Sequence, residues 1–84
     1  MKYVVIKDDN GVEIPLIFGN ALDVSKLPVL GTVVSAGIAH VHKIAITCDG
    51  TLQINGATVG SRGLKDEILL RSSDFMGVED EITE

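Results

Sequence analysis

Three stretches carry residue types that could do chemistry. His40 and His42 stand two apart, so on a strand they share a face and could together ligate a metal, with Asp49 or Cys48 as a third ligand. Nothing in the spacing positions that third ligand, and the plainer reading is a pair of solvent-facing side chains where a strand leaves the core. Cys48 beside either histidine suggests a thiol activated by an imidazole. It shares parity with Ile44 and Ile46, however, which places it on an apolar face as a small buried hydrophobe. Gly60, Ser61, Arg62 and Gly63 precede a helical pattern and could cradle a small anion, with backbone N–H groups and the guanidinium converging on it. The segment lacks the spacing and the Lys-Ser/Thr ending of a phosphate loop. The plainer reading is a turn in which Ser61 satisfies backbone donors and Arg62 pairs with Asp66.

No Ser-His-Asp order, no pair of buried carboxylates and no large aromatic pocket accompanies these residues. The expectation is a protein that is not an enzyme, with no cofactor and no committed metal site.

The elements that must position these residues are mostly strands. Lys2 to Lys7 and Val12 to Phe18 are β-branched and apolar, and Asp8-Asp9-Asn10-Gly11 lies between them. Asn-Gly in that setting predicts a hairpin with a type I′ turn, which needs positive φ at both positions. Alternation puts Val12, Ile14, Leu16 and Phe18 on the core face, and Pro15 marks an edge strand or a bulge. Asn20 or Asp23 could cap a short helical turn ended by Pro28. Gly31 to Val41 reads as a long strand in which Gly37 marks a bulge or a close backbone approach. Lys43 to Cys48 reads as another strand, and Thr51 to Ile54, bracketed by Asp49-Gly50 and Asn55-Gly56, as a third. Leu64 to Arg71 is the best helix, with Leu64, Ile68 and Leu69 on one face, Asp66 and Glu67 near its start and Arg71 near its end. The expected class is α+β and β-dominated: a small antiparallel sheet or partly open barrel of five to six short strands, one C-terminal helix, and a short helical turn after the first hairpin.

Composition agrees with one small domain. The chain has 84 residues, 45% hydrophobic and 23% charged, too apolar for a disordered tail. The net charge is −5, but Glu79, Asp80, Glu81 and Glu84 supply four of the twelve acids, so residues 1–78 are nearly neutral against seven bases. A body without clustered Lys or Arg lacks the electrostatic footprint of a nucleic-acid binder. The expected division is a compact domain over residues 1–76 and an acidic flexible tail over 77–84.

Cys48 is the sole cysteine, so no disulfide forms within the chain. The apolar start at Met1 to Ile6 is halted by Lys7-Asp8-Asp9, which reads as a strand and not a secretory leader. The longest stretch without a formal charge, Leu27 to His42, contains Pro28, Gly31 and Gly37 and is short of a bilayer span of roughly 18 residues. The expected location is the cytoplasm.

Taken in order, Tyr3-Val4-Val5-Ile6, Ile14-Pro15-Leu16-Ile17-Phe18, Val33-Val34-Ser35-Ala36-Gly37, Cys48-Asp49-Gly50 and Val59-Gly60-Ser61-Arg62 with Asp66 downstream resemble small uncharacterised proteins encoded in bacteriophage and prophage genomes. The resemblance covers about residues 3–70, and Val-Val-Ser-Ala-Gly is its most specific part. It implies a genomic setting, with the cytoplasm of a bacterial host as the location and the virion as the alternative, and no catalytic motif. The leading expectation is a non-enzymatic interaction module that self-associates by sheet edge or face, or binds another phage or host protein, during particle assembly or host takeover. The rivals are a ligand-binding domain taking a small anion at Gly60 to Gly63, and a regulatory protein whose residues Glu79, Asp80, Glu81 and Glu84 mimic nucleic acid. The plainer reading of that tail is a solubilising extension.

Overall fold

The computed structural model describes residues 1–26, 31–43 and 45–72. Among the described residues six strands and one helix follow in order: β1 (Lys2–Lys7), β2 (Glu13–Phe18), β3 (Thr32–Val41), β4 (Ile46–Asp49), β5 (Thr51–Ile54), β6 (Ala57–Gly60) and α1 (Leu64–Arg71). Antiparallel pairing arranges four of the strands as β2-β1-β3-β4, and β5 and β6 form a separate two-stranded sheet. The β-rich α+β class is as expected, and the described strands form two antiparallel sheets and not a closed barrel. Among the described residues no helix is long and apolar enough to cross a membrane.

The layering follows from the alternation of side chains across a strand. β1 is central and covered on both faces, so Tyr3, Val4, Val5 and Ile6 are all buried. On one face Tyr3 and Val5 pack with Ala39, Ile46, Cys48 and Leu70 of α1. On the other, Val4, Ile6 and Ala36 pack with Ile54, with Leu52 and Val59 of the β5–β6 hairpin beside them. A helix therefore covers one side of the four-stranded sheet and a hairpin covers the other. Burial of each apolar side chain in these layers contributes about 1.5–3 kcal/mol before entropy is subtracted.

Several expectations need correction. Both faces of β2 contribute to packing, because the sheet is covered on both sides: Leu16 and Phe18 pack against the hairpin-side cluster and Ile17 against the helix-side one. Val12 and Ile14 stay exposed. The β1–β2 loop is not a type I′ turn, since positive φ falls on Gly11 and not on Asn10. The Asp8 carboxylate accepts the N–H groups of both Asn10 and Val12, each at 2.9 Å, and this side-chain clamp holds the loop in a wider form. The type I′ geometry occurs instead at Asn55-Gly56, with φ of 50° and 85°. After β2, Leu22 N–H donates to the Gly19 carbonyl at 3.1 Å in a simple turn, and Asp23 accepts Ser25 N–H, so residues 19–26 hold no helix. Pro28 lies outside the described residues, as does Ile44.

Pro15 is placed as expected on an edge, because β2 ends the four-stranded sheet. Gly37 marks a close approach: a Cβ there would collide with the Asp49 carbonyl and sit 3.1 Å from the Ser61 Cβ. The register shift of the β1–β3 ladder falls instead between Val5 and Ile6.

Candidate functional site

A buried charge cluster is built where α1 begins. Asp66 is fully buried on the inner face of α1, and four donors converge on it. The Tyr3 hydroxyl donates to Oδ2 at 2.5 Å, and Ser35 Oγ donates to Oδ1 at 2.9 Å. Arg62 contributes its backbone N–H to Oδ2 at 2.9 Å and its Nε to Oδ1 at 2.8 Å. The same guanidinium forks onto Glu13 of β2, from Nη1 at 3.0 Å and Nη2 at 2.9 Å. β1, β2, β3, the β6–α1 turn and α1 are thus joined through one carboxylate and one guanidinium.

Proton counting orders the rest of the network. Tyr3 has a single phenolic proton and the charged carboxylate takes it. Ser61 Oγ, 2.6 Å from the phenol oxygen, must then donate to it, while accepting Gly63 N–H at 2.9 Å. That second bond also serves the helix start, where Gly63 at the N-cap offers no side chain. Ser61 can reach Tyr3 because Gly37 pairs with Tyr3 and leaves the space beside it empty.

These contacts fix the protonation states. Burial alone raises the Asp66 pKa, but the bonds from Tyr3, Arg62 and Ser35 outweigh it and hold the carboxyl below its usual range. Glu13 is likewise held low by the forked bond from Arg62. The Tyr3 phenol is pushed far up, first by burial and then by the hydrogen bond it donates to Asp66. Burial followed by the Asp66 charge also pushes the Cys48 thiol up to about 11. A phenol and a thiol that keep their protons, and carboxylates that refuse them, give no group poised near neutrality for proton transfer or nucleophilic attack. Among the described residues every buried side-chain N or O atom has a partner. The arrangement fastens the fold.

Each expected site residue now has a place. Gly60, Ser61, Arg62 and Gly63 do form the turn before the helix, but its donors are engaged from within: Arg62 N–H by Asp66, Gly63 N–H by Ser61, and the guanidinium by Asp66 and Glu13. A carboxylate of the chain itself occupies the position an anion would take. His40 and His42 are exposed, and His40 Nε2 lies 3.0 Å from Asp49 Oδ1. Cys48 pairs with Ala39, the neighbour of His40, and so lies on the opposite face of the sheet from that imidazole. Among the described residues no three His, Cys, Asp or Glu side chains could hold a metal ion. Glu79, Asp80, Glu81 and Glu84 lie outside the described residues.

The chain matches no family model, no curated protein and no solved structure. No match links it to bacteriophage proteins.

The two margins of the four-stranded sheet differ. At the β4 margin the outward N–H of Cys48 donates to Glu67 Oε2 of α1 at 3.0 Å, so the helix caps that edge. At the β2 margin no described strand pairs with the outer side. Asp8 N–H donates to the Val12 carbonyl at 2.9 Å, which sets the alternation: even-numbered residues of β2 bond β1, and Glu13, Pro15 and Ile17 turn their backbones outward. Pro15 fits there because it has no N–H to leave unpaired.

Tyr3, Ser35 and Glu13 are the members of this cluster that sequence reasoning missed. The signal of the first two was faint: a Tyr and a Ser in apolar strands, each at a position where a hydrophobic residue would have served.

Proposed function

We propose that the protein is a non-enzymatic interaction module that joins another protein chain at the outer margin of β2. The single supporting observation is the inequality of the two sheet margins. A strand edge is a template for a further strand, and among the described residues nothing pairs with the outer edge of β2, whereas α1 covers β4 through Glu67 and Cys48. The locked protonation states of Tyr3, Cys48, Asp66 and Glu13 agree with a framework role for the charged cluster. A phage or prophage setting, in particle assembly or in the infected cell, rests on the sequence resemblance alone.

Sedimentation across a concentration series tests the proposal, together with strand-peptide binding to immobilised protein. A mass that climbs above that of one chain, or saturable binding of extended peptides that β2 edge variants abolish, is expected. A lone monomer at every concentration that also binds no extended peptide contradicts it.

A further inference from the structure

We infer that Asn10 is a site of spontaneous deamidation in the folded protein, that the Asp8 carboxylate restrains its rate, and that Asn55, in the same Asn-Gly pair, is spared. The reaction is set by the chemistry of the pair. The Gly11 amide nitrogen, having lost its proton to solvent base, attacks Cγ of Asn10; the bond from Cγ to the side-chain nitrogen breaks, and ammonia leaves. Water then opens the five-membered succinimide. Attack at Cγ gives aspartate, and attack at the backbone carbonyl gives isoaspartate, whose chain runs through Cβ. Glycine suits the second position because it has no side chain to hinder the attacking nitrogen.

Ring closure swings the peptide that follows the asparagine toward its own side chain, so the surrounding chain must yield. Asn10 and Asn55 are both exposed, and exposure does not separate them. Slack does. At the first site residues 8–12 lie between the last paired positions, Lys7 and Glu13, whereas at the second only Asn55 and Gly56 lie between Ile54 and Ala57. A swing at Asn55 therefore moves β6 directly against β5. It is opposed as well by the bond from Asn55 N–H to the Ser25 carbonyl at 2.6 Å and by Ile54, which is buried in the hairpin-side cluster.

The restraints on Asn10 come from within its own loop. Gly11 N–H, the group that must attack, donates to the Asp8 carbonyl at 3.0 Å. The Asp8 carboxylate holds the loop around it by accepting Asn10 N–H and Val12 N–H, each at 2.9 Å. Both of these bonds face solvent, so they open without disturbing either core cluster. Each conversion then adds a third carboxylate beside Asp8 and Asp9, and isoaspartate also lengthens the loop backbone by one CH2 group.

Peptide mapping by mass spectrometry, with isoaspartate scored by enzymatic methyl transfer, follows both sites in the full chain incubated at mildly alkaline pH, folded and in urea. In the folded chain the Asn10 peptide is expected to exchange NH for O while the Asn55 peptide stays intact, and in urea both convert. Asp8→Ala is expected to speed Asn10 roughly tenfold in the folded chain, the equivalent of one charge-assisted bond, and to leave Asn55 unchanged. Asp8→Asn keeps an acceptor at the same place and should stay near the wild-type rate. Equal rates at Asn10 and Asn55 in the folded wild type overturn the inference, as does an Asp8→Ala protein whose Asn10 reacts no faster. If Asp8→Ala speeds both sites together, that variant has unfolded, and amide exchange in the wild type decides: protection of Asn10 and Val12 N–H supports the restraint, and exchange of both at the free-peptide rate overturns it.

Discussion

The hydroxyl of Tyr3 on β1 donates to the carboxylate of Asp66 on α1 at 2.5 Å, both groups being fully buried and 63 positions apart in sequence. A charged carboxylate in such a place is stable only while its donors are present, since leaving a buried charge without partners costs more than the pair contributes. Asp66→Ala removes the acceptor from four donors and is expected to destabilise the protein by about 3–5 kcal/mol. Tyr3→Phe removes one donor and should cost about 1–3 kcal/mol. Urea denaturation measures both, and the double variant should fall short of their sum because the two share a bond.

Acid stability follows from the same groups. The folded-state pKa values of Asp66 and Glu13 are lowered, so their contribution is fully present above the ordinary carboxylate range of about 3.9–4.3. It is lost as pH falls from that range through the lower folded values. The midpoint of urea unfolding is expected to stay level down to about pH 5 and to drop below about pH 4. In Asp66→Asn the protein should start weaker, because the amide nitrogen meets donors where an acceptor is required, and the acid drop should shrink to what Glu13 and other carboxylates supply.

The thiol of Cys48 should be inert in the folded protein. Burial and the nearby Asp66 charge push its pKa up to about 11, so the thiolate is scarce at neutral pH. Alkylation by iodoacetamide at neutral pH is expected to be limited by unfolding and to accelerate in urea in proportion to the unfolded fraction. Fast native-state alkylation would mean that β4 opens to solvent independently of the rest of the fold.

Gly37 supports the cluster by what it lacks. A Cβ at this position would strike the Asp49 carbonyl and crowd Ser61, which donates to Tyr3. Gly37→Ala is expected to cost at least about 1–3 kcal/mol, read from thermal or urea unfolding, although alanine is ordinarily harmless to a strand relative to glycine.

Local chemistry was legible in the sequence and long-range chemistry was not. Asn55-Gly56 announced its turn because the requirement for positive φ is written in two adjacent residues. Asn10-Gly11 looked the same, yet the carboxylate of Asp8 captured the local donors and changed the loop. The bond from Arg62 to Asp66 was readable from their spacing, whereas Tyr3, Ser35 and Glu13 come from three strands whose order no local signal encodes. The helix shows the cost of that blindness. Apolar spacing placed Leu64, Ile68 and Leu69 inward, but the buried anchor is Asp66 with Leu70, and this rotation leaves Leu64 and Ile68 in solvent. A polar residue held by distant donors overrode the hydrophobic pattern.

The most direct measurement is amide hydrogen exchange at Ile17 and Cys48, followed across protein concentration. Cys48 N–H, capped by Glu67, is expected to be protected at every concentration. Protection of Ile17 N–H should be absent in dilute protein and rise as the chains associate. Rapid exchange of Ile17 at all concentrations, with or without an extended peptide present, would show that the open edge of β2 recruits nothing.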